Sequence, residues 1–334
     1  MMFMESPDFL FYSLHGMGAV TCPLQILGLY CILFKTPQTM NSVKWVLLNS
    51  HIWSLIFDIT VTALTITFLV FPVLGTVPLG FLTTLFGVPI DIQAYLVFTL
   101  LFTVLFSDML IFENRYYQLF AKNKSWRHFR VPFIIINYGA VGIFMLPTFL
   151  NTPDQLQAID LAFKQVPNLP VELRSMNFFI WATDFKLFLG SFIFITAFQL
   201  TEFVPLILIT DWNVRSSIKK STQSRQTMQL QLKFLMALYA QSGAFFLTCF
   251  TPYVYMLYSC FTNYYNPIAN NFIFIFVAAR GSFCTVILLS AYKPYKKAVV
   301  NIFRLISSSI GCFKTQPIVN PIGIIISNQN TSLF

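Results

Sequence analysis

Long apolar runs dominate the chain, and short polar stretches separate them. They cover residues 9–34, 43–71, 92–112, 131–150, 185–210, 230–261 and 267–292. A bilayer core about 30 Å thick is crossed by about 20 apolar residues in a helix, so each run is long enough to span it. Residues 72–91 are apolar too, but Pro72, Gly75, Pro78, Gly80, Gly87 and Pro89 punctuate them. Such punctuation breaks regular structure and predicts a loop dipping toward the membrane. Residues 151–184 form the longest segment between runs, and Pro153, Pro167 and Pro170 predict that it is irregular. After the last run, Tyr295, Val299, Ile302, Phe303 and Ile306 fall near one helical face, while Lys296, Lys297 and Arg304 occupy much of the rest. That pattern predicts a short helix lying on the membrane surface. The expected fold class is all-α, a seven-transmembrane helix bundle. Residues 1–306 hold the bundle and its juxtamembrane helix, and residues 307–334 form a cytosolic tail.

Composition agrees with the pattern. Hydrophobic residues make up 56% of the chain and charged residues only 10%. Soluble domains carry about 25% charged residues, so lipid must solvate most of this surface. The net charge of +9 could suggest a nucleic-acid partner. The basic residues instead sit between apolar runs, where they set topology. Lys35 and Lys44, then Arg115, Lys122, Lys124, Arg127 and Arg130, then Arg215, Lys219, Lys220, Arg225 and Lys233 occupy alternate loops. The tail adds Lys293, Lys296, Lys297, Arg304 and Lys314 on the same side. These loops are therefore cytosolic, and an odd number of spans places the N-terminus outside.

Charges inside apolar runs are costly and point to function. Asp58, Glu202 and Arg280 are the deep charges read from the pattern. Counted from the inner edge at 1.5 Å per residue, Asp58 and Arg280 lie at similar depth, and they are expected to approach each other. His51 stands alone in the second run and is expected to be a packing residue. No phosphate-binding glycine loop, nucleophile elbow or metal-ligand spacing occurs, so neither an enzyme nor a metal or cofactor site is expected. The six cysteines read mainly as small buried hydrophobes. Cys312, just past the basic amphipathic stretch, is the candidate for palmitoylation.

Local sequence then resembles a family. Tyr30-Cys31-Ile32-Leu33-Phe34-Lys35-Thr36-Pro37, Val43-Lys44-Trp45-Val46-Leu47-Leu48-Asn49 and Phe112-Glu113-Asn114-Arg115 are similar to nematode serpentine receptors of class H. So are Pro153-Asp154-Gln155, Leu230-Gln231-Leu232-Lys233-Phe234-Leu235, Tyr264-Tyr265-Asn266 with Asn270-Asn271, and Lys293-Pro294-Tyr295-Lys296-Lys297-Ala298. Their order and spacing extend from about residue 20 to 300. The resemblance implies a GPCR-like chemosensory receptor in the plasma membrane, extending to a sensory cilium and olfaction. It would take a small-molecule ligand from outside and signal to a heterotrimeric G protein. Position is similar to that of the acidic-Arg motif of rhodopsin-like receptors for Glu113, Asn114 and Arg115, which with Lys219, Lys220 and Lys233 form the expected coupling surface. The class H pattern has His where Arg280 stands, so this Arg needs a compensating anion. Residues 72–91 and 151–184 contain no cysteine, so the disulfide of rhodopsin-like receptors cannot form.

Ligand pockets are mostly apolar with a few placed polar groups. In the outer half of the bundle, Gln93, Tyr95, Lys186, Tyr253, Tyr255, Asn271 and Phe274 fit that profile. Two other classes compete with the receptor reading. A seven-span ligand-gated channel would carry its N-terminus inside, and a small-solute transporter would show paired broken helices and coupled midplane charges.

Overall fold

The computed structural model describes residues 2–122, 124–220 and 225–314. Within them, seven helices are long and apolar enough to cross a membrane: Pro7–Lys35, Asn41–Leu64, Ile90–Ala121, Trp126–Leu150, Phe185–Ser216, Leu235–Thr262 and Pro267–Ala291. They are called spans one to seven below. Their starts follow ordinary capping rules. Ser6 accepts from the Phe9 amide at 3.2 Å, and Pro7 occupies the first turn. Asn266 accepts from the Ala269 amide at 3.0 Å ahead of Pro267. In each case a side-chain oxygen satisfies an orphan helix donor, and proline fills a position whose amide needs no partner.

The second span ends earlier than the apolar pattern suggests. Its α-helix covers Asn41–Ile59 and closes in a π-turn at Thr60–Leu64, rather than continuing to residue 71. Thr60 and Thr62 bond back to the carbonyls of Ile56 and Asp58 at 2.8 and 2.7 Å, and Thr65 bonds to Thr60 at 3.1 Å. Threonine hydroxyls that compete for backbone carbonyls in this way disturb the helical ladder.

A β-hairpin follows in place of the expected dipping loop. Strand β1 (Thr67–Val70) pairs antiparallel with β2 (Gly75–Pro78), in the register Thr67↔Pro78 to Val70↔Gly75. The 151–184 segment is also more regular than its prolines suggest. It holds a helix at Gln155–Gln165, capped by Asp154, and a 3-10 turn at Val171–Ser175. It then adds strand β3 (Phe179–Ile180) to the hairpin, with Thr76 opposite Phe179. Gly75 is required there, because a Cβ would meet the Phe178 ring at 2.5 Å. The sheet is covered on both faces, with Phe68, Val70, Val77 and Ile180 buried on one and Thr76 on the other. Non-helical backbone is tolerated at the rim of a bundle when the protein itself covers it.

The last helix, Lys293–Lys314, begins as the basic amphipathic pattern suggests and runs past residue 306. Tyr295 is buried, and its hydroxyl hydrogen-bonds Thr36 at 2.7 Å, fixing this helix to the end of span one.

Candidate functional site

The three-stranded sheet roofs an apolar cavity of about 110 Å³. Antiparallel pairing puts alternate residues on one face, and those facing the cavity are Thr67, Leu69, Phe71, Thr76 and Pro78. Span three adds Gln93, Ala94, Val97, Phe98 and Leu101, a set at helical spacing. Spans six and seven close the far side with Tyr253, Met256, Phe274 and Val277. Trp181, just after β3, packs edge-on to Phe98 with ring centroids 5.3 Å apart. Tyr253 stacks on Phe192 at 5.1 Å. Among the described residues, no charged side chain lines this cavity.

The predicted pocket residues divide between several places. Gln93, Tyr253 and Phe274 line the roofed cavity. Tyr95 faces a smaller space beside span four, and its hydroxyl donates to the Gly142 carbonyl. Lys186 lies in an outer vestibule of about 530 Å³, with Leu74, Leu161 and Asn263. Tyr255 donates to Asn270 Oδ1 at 2.8 Å, a bond between spans six and seven. Asn271 donates to the Met4 carbonyl at 3.0 Å and so anchors the N-terminal turn. The sheet residues and Trp181 were not legible as cavity residues, because their placement depends on strand register. The one sequence signal was the Gly and Pro punctuation around short β-branched runs.

Below the cavity lies a polar network. Arg280 donates through Nη2 to Ser54 Oγ at 2.8 Å and stands 4.0 Å from Asp108 Oδ2 through Nη1. Asp108 in turn accepts a short hydrogen bond from Ser50. Asp58 Oδ2 accepts from Gln25 Nε2 at 2.6 Å, and Gln25 Oε1 accepts from Thr285 at 2.9 Å. His51 Nε2 bonds the Gln25 carbonyl at 2.8 Å, which leaves His51 a packing partner for span one. Asp58 acts on Arg280 through its field, as Asp108 does. Asp108 is a fourth deep charge beside Asp58, Glu202 and Arg280, and the apolar pattern did not single it out. Its signal was available: an acid inside the third apolar run, on the same span as Glu113.

A second polar cluster holds the inner end. Glu113 is fully buried. It accepts from Trp126 Nε1 at 2.8 Å and pairs with Arg130 Nε at 3.0 Å. Arg130 also donates to Asn114 Oδ1 at 3.0 Å, and Asn114 donates to the Ser42 carbonyl at 2.9 Å. The Arg130 guanidinium lies over the Tyr117 ring at 4.5 Å. Spans two, three and four are thus tied through Glu113 and Asn114. Arg115 follows this cluster on span three, within electrostatic reach of Tyr292 just past span seven. Spans five and six meet where Tyr239 donates to Asp211 at 2.9 Å. The side chains of Lys219, Lys220, Lys233 and Cys312 lie outside the described residues.

Among the described residues, no group of His, Cys, Asp and Glu side chains could hold a metal ion. Cys22, Cys31, Cys249, Cys260 and Cys284 are free thiols.

Comparison with known proteins agrees with this architecture. The family model described as "Serpentine type 7TM GPCR chemoreceptor Srh" matches residues 5–305. Serpentine receptor class H-72 of Caenorhabditis elegans is 30% identical over 156 residues, covering 46% of this chain and 45% of that relative. The matched region is therefore less than half of either protein. The structure of squid rhodopsin superposes with a TM-score of 0.54 at 13% identity, over 90% of this chain and 87% of rhodopsin. At that identity the likeness concerns the fold alone.

Proposed function

Because the chain belongs to the serpentine type 7TM GPCR chemoreceptor Srh family, we propose that it is a chemosensory receptor for a small molecule taken from outside the cell. The observation that carries this reading is the roofed apolar cavity between spans two, three, five, six and seven. Its lining is mostly apolar with a few placed polar groups, the profile of small-molecule sites. The plasma membrane of a sensory cell, including its cilium, is the expected location, and detection of odorants the expected role.

A ligand there touches spans that also carry the inner polar clusters. It can shift the bundle only to the extent that it binds the active arrangement better than the resting one. Span six spans the distance between the two ends, with Tyr253 in the cavity and Tyr239 bonded to Asp211. Movement of span six would break that bond and open the inner face to a heterotrimeric G protein. Arg115 is the residue we assign to the coupling surface, beside the basic residues Lys219, Lys220 and Lys233. The bonded cluster of Glu113, Asn114 and Arg130 holds the backbone that presents it.

A ligand screen in cells carrying a promiscuous G-protein reporter tests this reading, with Arg115→Ala as control. The expected result is a ligand-evoked signal that the variant abolishes while surface expression persists. Signalling unchanged in Arg115→Ala would remove its role. A ligand-evoked current that needs no G protein would replace the receptor by a channel.

A further inference from the structure

Resting on that receptor reading, we propose that the roofed cavity takes a neutral, largely apolar molecule that carries a hydroxyl group. Three residues on its lining each carry a buried polar atom with no hydrogen-bond partner among the described residues: Gln93 (Oε1), Thr76 (Oγ1) and Trp181 (Nε1). Buried polar groups are nearly always paired, so each such atom calls for an explanation.

Two of the three have a fixed chemical role. The Gln93 Nε2 group donates to the Val88 carbonyl at 2.8 Å and to Thr83 Oγ1 at 2.7 Å. A carbonyl can only accept, so flipping the amide would set two acceptors against each other. Oε1 is therefore an acceptor awaiting a donor. The indole nitrogen of Trp181 is a donor only, and Thr76 can serve either way. The Trp181 amide donates to the Leu74 carbonyl at 3.0 Å, two residues along the sheet from the Thr76↔Phe179 pair. Thr76 and Trp181 are thus diagonal neighbours on the face of the sheet that looks into the cavity.

A ligand that completes this set must bring one donor and one acceptor on an otherwise apolar body. A hydroxyl is the smallest neutral group with both. A ketone or ester satisfies Trp181 and leaves Gln93 unmet, while a hydrocarbon satisfies neither. An ammonium or carboxylate would place a charge in a cavity with no charged lining residue, which is costly without a partner.

The test uses the purified full-length chain in nanodiscs, titrated with matched sets on shared skeletons of about six to ten carbons. Each set contains an alcohol, a ketone, a hydrocarbon, an amine and a carboxylate, and thermal unfolding reports binding. At least one alcohol is expected to stabilise the protein at about tenfold lower concentration than its ketone or hydrocarbon. Gln93→Leu and Trp181→Phe are each expected to reduce that preference severalfold. The preference is a ratio within one protein, so neither lipid partitioning nor altered basal stability mimics it. The proposal is overturned if no member binds, if the alcohols show no preference, if the charged members bind best, or if both variants keep the preference. Alcohol binding without any reporter signal would count against the receptor reading alone. Signalling driven only by charged ligands would sink the hydroxyl proposal and leave the receptor reading standing.

Discussion

The carboxylate of Asp58 lies directly against the backbone of Gly281, so that a Cβ at Gly281 would overlap Asp58 Oδ2. Glycine is needed there for close approach of spans two and seven. Both neighbours are constrained, since Asp58 is held by Gln25 and Arg280 by Ser54. Gly281→Ala is expected to destabilise the protein by about 1–3 kcal/mol, the usual range for overpacking. Thermal unfolding in detergent would show it, and an unchanged midpoint would mean that the two helices can separate freely.

Arg280 has its ion pair with Asp108 at 4.0 Å, and Ser50 holds that carboxylate in place. A double-mutant cycle on Asp108→Asn and Arg280→Gln is expected to give a coupling of about 1–3 kcal/mol, as for residues within one network. The corresponding cycle with Asp58→Asn is expected to be smaller, because Asp58 spends its bond on Gln25. Equal couplings would show that Arg280 divides itself evenly between the two acids.

Glu113 has no exposed surface, whereas the Arg130 side chain is about a quarter exposed, at 24%. Removing the arginine strands a buried carboxylate. Arg130→Ala is expected to cost about 2–4 kcal/mol, below the full cost of breaking a buried pair because water reaches Arg130. Arg130→Ala combined with Glu113→Gln should recover part of the loss. A combined variant no more stable than the single one would refute the pairing argument.

Val97 projects into the roofed cavity from span three. Val97→Trp fills that space with an apolar side chain and should leave the fold intact. Ligand potency in a reporter assay is expected to fall about tenfold or more, with surface expression retained, as for loss of well-packed contacts. Full potency in that variant would place the ligand elsewhere, with the vestibule beside Lys186 as the first alternative.

Tyr295 anchors the last helix through Thr36, and burial pushes its hydroxyl above the ordinary tyrosine range. A group raised in the folded state contributes stability fully below its unfolded value, about 10, and loses it as pH rises further. Tyr295→Phe is expected to lower stability by about 0.5–1.5 kcal/mol at neutral pH. The difference from the unsubstituted protein should stay constant up to about pH 9 and shrink above about pH 10. A difference that varied between pH 6 and 8 would assign the anchoring to another group.

Particular elements show where sequence reading succeeded and where it stopped. Span one was readable to within two residues, because the uniformly apolar run over residues 9–34 stops at Lys35. The end of span two was not, because residues 65–80 are as apolar as the span itself. Apolar content does not distinguish a helix in lipid from a strand buried under loops. Among the pocket residues, Gln93 and Phe274 face the cavity while Tyr95 and Asn271, on the same helices, face other neighbours.

The sequence by itself determined the seven membrane-crossing spans, and it set the expectations for which loops face the cytosol and how deep Asp58 and Arg280 lie. These follow from run length, loop charge and a fixed rise per residue, all of which act along one dimension. Only the tertiary structure decided that Arg280 pairs with Asp108, that Glu113 is held by Arg130, and that a sheet roofs the cavity. Those relations depend on the rotation of each helix about its axis and on strand register. Helices that are apolar on nearly every side carry little signal of their rotation, so packing against neighbours sets it.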